Sequence, residues 1–339
     1  MESWGSRVRE DPTTLVGQPA SSLHELLDEV EEAFARSGSP LFVEIPSDRP
    51  VTLIGDSHGD WPAVSAALRH ARHGPVPGRF VGLGDYVDRA TWSEPDPAAL
   101  PNGSIWNAAY LLAWNAAAPG EVVLLRGNHE AARQIPVPNP TLLRELGRAY
   151  PAEEASVLWE RLTRALERLP LAARTANGVF LAHGGIPPAD RRDPRRWRAD
   201  DRELLEALLW SDPEFEHPPG RVVGPPYGDS ELEGFLQEFG CGFMIKGHAP
   251  WHSGRAIYGG RLLTLHTSDL FSRFGEGGVY LAELPALPRI SSLGEVTLRA
   301  WEHGAWKPRA MAMSTVSPAF PTSAEASGGT SSGPVRTIQ

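Results

Sequence analysis

Five short apolar runs in this chain each end in a residue able to hold a metal ion, beside a glycine. VTLIG (51–55) runs into Asp56, Ser57, His58, Gly59 and Asp60. RFVGLG (79–84) runs into Asp85, Tyr86, Val87, Asp88 and Arg89. EVVLLR (121–126) runs into Gly127, Asn128, His129 and Glu130. GVFLAH (178–183) ends at His183 before two glycines, and GFMIKG (242–247) runs into His248. Any one of these alone is a turn or capping signal. Five together point to a site built on strand carboxyl ends, the edge where open α/β sheets bind ligands. The glycines allow sharp turns and let an ion or phosphate come close to the backbone.

The donors are oxygen and imidazole, with no thiolate. One ion can be held by Asp56, His58 and Asp85, and a second by Asp85, Asn128, His183 and His248, with Asp85 bridging. Two divalent ions about 3.5–4 Å apart share a water and acidify it into a nucleophile at neutral pH. A mixed nitrogen and oxygen shell suits manganese, iron or zinc better than magnesium or calcium. Two divalent ions are therefore expected, manganese first, with iron or zinc as alternatives. His129 is better placed as a general acid than as a ligand, and Asp88 is its natural partner. Arg89 and Arg126 stand at two of the same strand ends, and a guanidinium binds two phosphate oxygens at once. The chemistry expected is phosphoryl transfer.

The elements that must position these residues alternate between strands and helices. Besides the five runs, LFVEIP (41–46), RLLTLH (261–266), GVYLAEL (278–284) and EVTLRAW (295–301) read as strands. Helical patterns span about 22–37, 61–73, 104–118, 140–149, 152–168, 201–209 and 229–239. Ser22 is a candidate cap for the first, and Gly38 ends it. Strands without long helices between them close the chain, which indicates two packed sheets with helices outside. Residues 1–20 are polar and aperiodic and are expected to be disordered. The catalytic domain is expected over 21–308, and a Ser/Thr/Gly/Pro-rich tail over 309–339 is expected to be disordered.

Composition narrows the function classes. The 339 residues carry 32 Lys+Arg against 42 Asp+Glu, a net charge of -10. That balance disfavours non-specific grip on a nucleic-acid backbone. The one cysteine, Cys241, excludes an internal disulfide and a cysteine-rich zinc or iron–sulfur site. No stretch reaches the roughly 20 apolar residues of a membrane span, and MESWGSRVRED lacks the apolar core of a secretory signal. The expected location is cytoplasmic, and no membrane partner is expected.

In order, GDSHG (55–59), GDYVDRA (84–90), RGNHE (126–130), HGG (183–185), WSDP (210–213) and GH (247–248) resemble the signature blocks of the PPP-type Ser/Thr phosphoprotein phosphatases, within the calcineurin-like metallophosphoesterases. The resemblance covers about 50–284, and its divergence elsewhere fits a prokaryotic member. It implies a four-layer α/β sandwich, two mixed β-sheets flanked by helices. It places the first-metal ligands on Asp56, His58 and Asp85, and the second-metal ligands on Asp85, Asn128, His183 and His248. The general acid falls on His129, its support on Asp88, and one phosphate-binding arginine on Arg89. The other falls on Arg221, which opens RVVGPPYG after the WSDP block. The implied activity is phosphomonoester hydrolysis by in-line attack, most simply on phosphoserine or phosphothreonine in proteins. A phosphorylated protein or a small phosphoester is the implied partner.

Departures from the pattern bear on substrate choice. Ala90 stands where the second block usually closes on glycine, Phe271 near a usual tyrosine, and His266 for an apolar residue. An inserted WSEPDPAALPNGS lengthens the stretch between Arg89 and Arg126. Symmetrical diadenosine tetraphosphatases share much of the motif set and are the alternative reading; Asp88-Arg89 and Glu130 favour the protein-phosphatase side. A non-catalytic metal-bound binding protein is the reading outside the enzymes. Arg191 to Arg198 (RRDPRRWR) form either a dock for acidic partners or a solvated loop with arginine stems over Trp197. The helical segment 131–177 either shapes access to the site or packs on the sheet flank. Cys241 reads as a buried thiol, and His70, His73, His217, His252 and His303 as surface residues.

Overall fold

The structure, a computed structural model, describes residues 3–15, 17–88, 103–138, 140–218, 220–269 and 278–313. Helix α1 (Trp4–Glu10) and a 3-10 turn (Pro12–Leu15) precede α2 (Ala20–Ser37). Strands β1 (Phe42–Ile45) and β2 (Val51–Ile54), α3 (Trp61–His73), β3 (Arg79–Gly82), α4 (Gly103–Ala117) and β4 (Val122–Leu124) follow. Then come α5 (Leu142–Ala149), α6 (Ala152–Leu166), β5 (Ala172–Thr175), β6 (Val179–Ala182), α7 (Arg202–Trp210) and α8 (Asp229–Glu238). Strands β7 (Phe243–Lys246), β8 (Arg255–Ile257), β9 (Leu262–Thr264), β10 (Tyr280–Leu284), β11 (Thr297–Glu302), β12 (Ala305–Arg309) and β13 (Ala312–Met313) complete the order.

Two sheets form, with strand orders β1-β5-β6-β7-β9-β8-β13 and β12-β11-β10-β2-β3-β4. Within the second, β2, β3 and β4 run parallel; within the first, β6, β7 and β9 do. Both parallel triplets carry residues on alternating faces, as a pleated strand must. Val51, Leu53, Val81, Leu181, Ile245 and Leu263 meet in the core between the sheets. Ile54, Phe80 and Leu124 face the other way, onto α1 to α6. Phe180 and Met244 face α7 and α8. Apolar side chains on both faces of a strand require cover on both sides, and this yields the helix–sheet–sheet–helix layering. Among the described residues no helix is long and apolar enough to cross a membrane.

The described residues within 1–20 depart from the expected disorder. Ser3 caps α1 by accepting from Ser6 N, and Trp4 and Val8, one turn apart, are buried against the α2–α4 core. Gly5 packs so closely that a Cβ there would lie 2.1 Å from Ala117 Cβ. Trp4 N donates to Glu29 Oε2 at 2.9 Å, and the Arg7 guanidinium sits 3.8 Å over the Trp4 ring. A seven-residue helix with two core residues leaves too little periodicity to read, yet its indole fills a large site. Trp4→Ala is expected to destabilise the chain by about 3–5 kcal/mol in urea unfolding, with activity at low temperature retained.

Ser22 does not cap α2, whose N-cap is Pro19; the Ser22 hydroxyl donates to Gln18 instead. Gly38 does end α2, at φ 75°. The ordered body runs past the expected boundary at 308, since β12 ends at Arg309 and β13 pairs with β8. Residues 314–339 of the expected tail lie outside the described residues. Cys241 is buried, and burial pushes its thiol up to about 11. At pH 8 the native protein is therefore expected to resist iodoacetamide at this thiol, and the denatured chain to react, as mass spectrometry would read.

Candidate dinuclear metal site

Strands β2, β3 and β4 deliver Asp56, Asp85 and Asn128-His129 at their carboxyl ends; β6 and β7 deliver His183 and His248 from the facing sheet. The edges meet through an isolated bridge that pairs Asp56 with His266, directly after β9. All these side chains are buried or nearly so. Three sets of donor atoms each lie within 4.8 Å of one another: Asp56, His58 and His266; His58, Asp85 and His129; Asp85, His183 and His248.

The Asp85 carboxylate spans both halves. Its Oδ2 is 3.6 Å from His58 Nε2, and its Oδ1 is 3.4 Å from His183 Nε2. Oδ1 also accepts from His129 N at 3.0 Å. Backbone carbonyls set the histidine tautomers. His58 Nδ1 lies 2.9 Å from Val87 O and His183 Nδ1 lies 3.0 Å from Leu83 O. Each Nδ1 thus holds the proton, and each Nε2 turns its lone pair into the cluster. Burial pushes the His183 imidazole down to about 4, so it is neutral near pH 7. Burial alone would raise the Asp56 carboxyl, but the imidazoles of His266, His183 and His58 hold it well below the usual carboxylate range.

The donor set fits divalent metal ions, and the Asn128 amide lies among the donors. Its side-chain oxygen stands 3.2 and 3.1 Å from the Asp85 carboxylate oxygens, 2.9 Å from His183 Nε2 and 3.2 Å from His248 Nδ1. Carboxylate oxygens, imidazole nitrogens and a side-chain amide converging in one buried cluster are the donors that a divalent transition-metal ion takes. Space is made by glycines: a Cβ on Gly127 would lie 2.3 Å from Asp85 Oδ1, and one on Gly247 2.4 Å from Asp56 Oδ1. His58, Asp85, Asp88 and His248 all adopt positive φ, between 43° and 72°. Left-handed backbone at non-glycine residues costs about 1 kcal/mol or more each. Ser57 N and His58 N offset this by donating to Asp85 O at 3.0 and 2.8 Å.

His129 Nδ1 is 2.7 Å from Asp88 Oδ2. The other Asp88 oxygen accepts from Thr141 N and Leu142 N, both at 2.7 Å, at the start of α5. Burial would raise the Asp88 carboxyl, but His129 and these two N–H groups bring it below its ordinary value. Thr141 and Leu142 of the segment 131–177 thus hold Asp88, while α5 and α6 pack on the sheet flank. Arg221 reaches it from the loop after α7: Nη1 donates to Asp212 Oδ2 at 2.5 Å, and the guanidinium sits 5.4 Å over the Trp210 ring and touches His248. Arg89 lies outside the described residues, as do Ala90, Phe271 and most of the WSEPDPAALPNGS stretch.

Arg126 does not serve as a phosphate clamp. Its side chain is fully buried and turns away, with Nε and Nη2 donating to Leu169 O and Nη1 to Gln134. Burial pulls its guanidinium down to about 10. His252 is also not a surface residue: it is buried against Glu216, 2.5 Å away. Four of the five arginines of RRDPRRWR pair locally, Arg191 with Asp201, Arg192 with Glu238, Arg195 with Asp193 and Arg198 with Asp200. Trp197 is buried beneath them, its indole donating to Arg191 O, so the cluster is a paired loop.

The sequence reading assigns no positioning role to two residues that have one, Glu130 and Asp212. Glu130 accepts from Asp85 N, Tyr86 N and Gly127 N at 2.7–2.8 Å and clamps the β3 and β4 loops together. Asp212 accepts from buried Lys246 Nζ at 2.7 Å as well as from Arg221. Both stand inside the blocks RGNHE and WSDP, and that placement was the available signal.

Two facing mixed sheets, helices outside and an Asp/His cluster where the parallel strands end define a metallophosphoesterase architecture. The chain belongs to the calcineurin-like phosphoesterase family, whose model matches residues 49–251. It is 29% identical over 289 residues to a protein of Encephalitozoon cuniculi named "Probable serine/threonine-protein phosphatase". That match covers 82% of this chain and 59% of the relative, so the chain spans about three-fifths of the relative's length. A serine/threonine phosphatase of Saccharomyces cerevisiae with similarity to human phosphatase PP5 shares the fold. Its TM-score is 0.63 at 20% identity, covering 89% of this chain and 92% of that one.

Proposed function

We propose that the chain is a two-metal phosphomonoesterase acting on phosphoserine and phosphothreonine in proteins. The observation that carries this is the His129–Asp88 pair beside the Asp85 carboxylate that faces both donor sets. Asp56, His58 and Asp85 would hold one divalent ion, and Asp85, Asn128, His183 and His248 the other. Manganese is the first choice, with iron or zinc as alternatives. Bound there, the ions supply an acidified water and neutralise phosphate charge.

The chain's own residues do the rest. Asp88 keeps a proton on His129 Nδ1 and stabilises the imidazolium. His129 Nε2 gives its proton to the seryl or threonyl oxygen as the P–O bond breaks. Arg221, fixed by Asp212 and Trp210, presents its remaining N–H groups to phosphate oxygens. Arg89 is kept as the second phosphate ligand on its place in GDYVDRA. Fixed donors aimed at the developing charge provide most of the acceleration. The relative named a Ser/Thr phosphatase supports the substrate class. We place the protein in the cytoplasm on its acidic composition and single cysteine.

The test compares steady-state turnover of a phosphoserine/phosphothreonine peptide, a phosphotyrosine peptide and diadenosine tetraphosphate with added Mn²⁺. The expected preference is for the phosphoserine/phosphothreonine peptide. Preference for the dinucleotide moves the protein to nucleotide hydrolysis. Silence on all three with metal bound overturns the enzyme reading.

A further inference from the structure

We propose that His266 is a fourth protein ligand of the first metal ion, beside Asp56, His58 and Asp85. The inference rests on the two-metal reading of the site and extends it to a residue outside the signature blocks.

The backbone forces His266 against Asp56. Thr267 N donates to Asp56 O at 2.8 Å, and Gly55 N donates to Thr267 Oγ1 at 3.0 Å. His266 N donates to Ser253 Oγ at 2.9 Å, and Tyr280 N donates to His266 O at 2.8 Å. The two strand ends approach so closely that a Cβ on Gly55 would lie 1.8 Å from Leu265 O. Every neighbour of the His266 backbone is thus pinned, and its side chain is buried.

The ring lies where a ligand must. His266 Nε2 is 3.3 Å from Asp56 Oδ2, and its ring centroid is 6.0 Å from that of His58. One ring nitrogen falls within 4.8 Å of the donor atoms of both Asp56 and His58. Two atoms bound to one ion at about 2.0–2.2 Å, at 90–110° to each other, are separated by about 3 Å. The 3.3 Å spacing needs only a small contraction to meet that geometry. A second imidazole makes this half of the site two oxygens and two nitrogens, fills one more coordination position and favours zinc, iron or manganese over magnesium.

A residue that only positioned Asp56 by a hydrogen bond would also weaken metal binding when removed. Affinity alone therefore does not decide, and direct detection of the bond does. The full chain, labelled with ¹⁵N-histidine and loaded with ¹¹³Cd, is examined for scalar coupling between cadmium and ring nitrogens. The expected result is coupling to His58, His183, His248 and His266, with one set of signals lost in His266→Phe. In parallel, Mn²⁺ titration of the metal-free variant by calorimetry is expected to show one site weakened roughly tenfold or more. Coupling to His58, His183 and His248 but not His266 in the unmutated protein overturns this inference and leaves the two-metal reading standing. Absence of coupling to all four overturns both. His266→Gln, which keeps a polar side chain in the buried site, shows whether any loss in the phenylalanine variant comes from unfolding.

Discussion

His129→Asn is expected to retain both metal ions and lose turnover by roughly 10²–10⁴-fold, the usual contribution of a general acid. Its imidazole is buried and held at Nδ1 by Asp88, whose other oxygen is anchored by two backbone N–H groups of α5. An oriented proton donor of this kind matters in proportion to the basicity of the leaving oxygen. The loss is therefore expected to be large for a phosphoserine peptide and small for p-nitrophenyl phosphate, whose leaving group needs little protonation. Metal analysis of the purified variant and kcat on the two substrates provide the check. If the variant emerges with less metal than the parent, His129 is a ligand and the role assigned to it is wrong.

Asp85→Asn has the opposite signature: metal and activity are lost together. The two Asp85 oxygens face different donor sets, 3.6 Å from His58 Nε2 and 3.4 Å from His183 Nε2. Removing the negative charge weakens both halves at once, and the amide nitrogen cannot coordinate. Metal content is expected to fall from two ions per chain to one or none, with turnover reduced by at least about 10³-fold. Because Asn is isosteric and Glu130 accepts from the residue's backbone N–H rather than its side chain, the fold is expected to survive, as circular dichroism would show. Two ions per chain and near-parental kcat in this variant would remove Asp85 from the bridging role.

The contrast between these variants separates ligand from acid, which motif resemblance alone does not. Arg126 illustrates the limit. At a strand end in the RGNHE block it is as plausible a phosphate clamp as Arg89. Packing instead turns it toward Leu169 O, because the chain before β5 leaves a carbonyl there with two guanidinium donors to accept.

Much of the fold was legible. The near-continuous apolar runs at 51–55, 79–84, 121–126, 178–183 and 242–247 carry a strong strand signal because both faces of each strand are buried. The strands missed, β5, β8, β12 and β13, are short or exposed, and an AART or AWKPR segment has no periodicity to separate it from loop. The α1 helix was missed for a related reason: only Trp4 and Val8 reach the core, and two apolar residues do not make a pattern.

By itself the sequence determined the donor types, their places at strand ends and the glycines that leave room for them, since these follow from local rules of turn chemistry and strand patterning. Only the tertiary structure decided which donors come within reach of one another and which charged groups face the site. Asp56 and His266 stand 210 positions apart in the chain and 3.3 Å apart in the fold. Asp88 is held by a helix more than 50 residues later, and Asp212 joins Lys246 to Arg221 across two loops. Such contacts depend on how two sheets pack and where long side chains find partners. That is settled by summed burial and hydrogen bonding over the whole chain, and no window of sequence contains it.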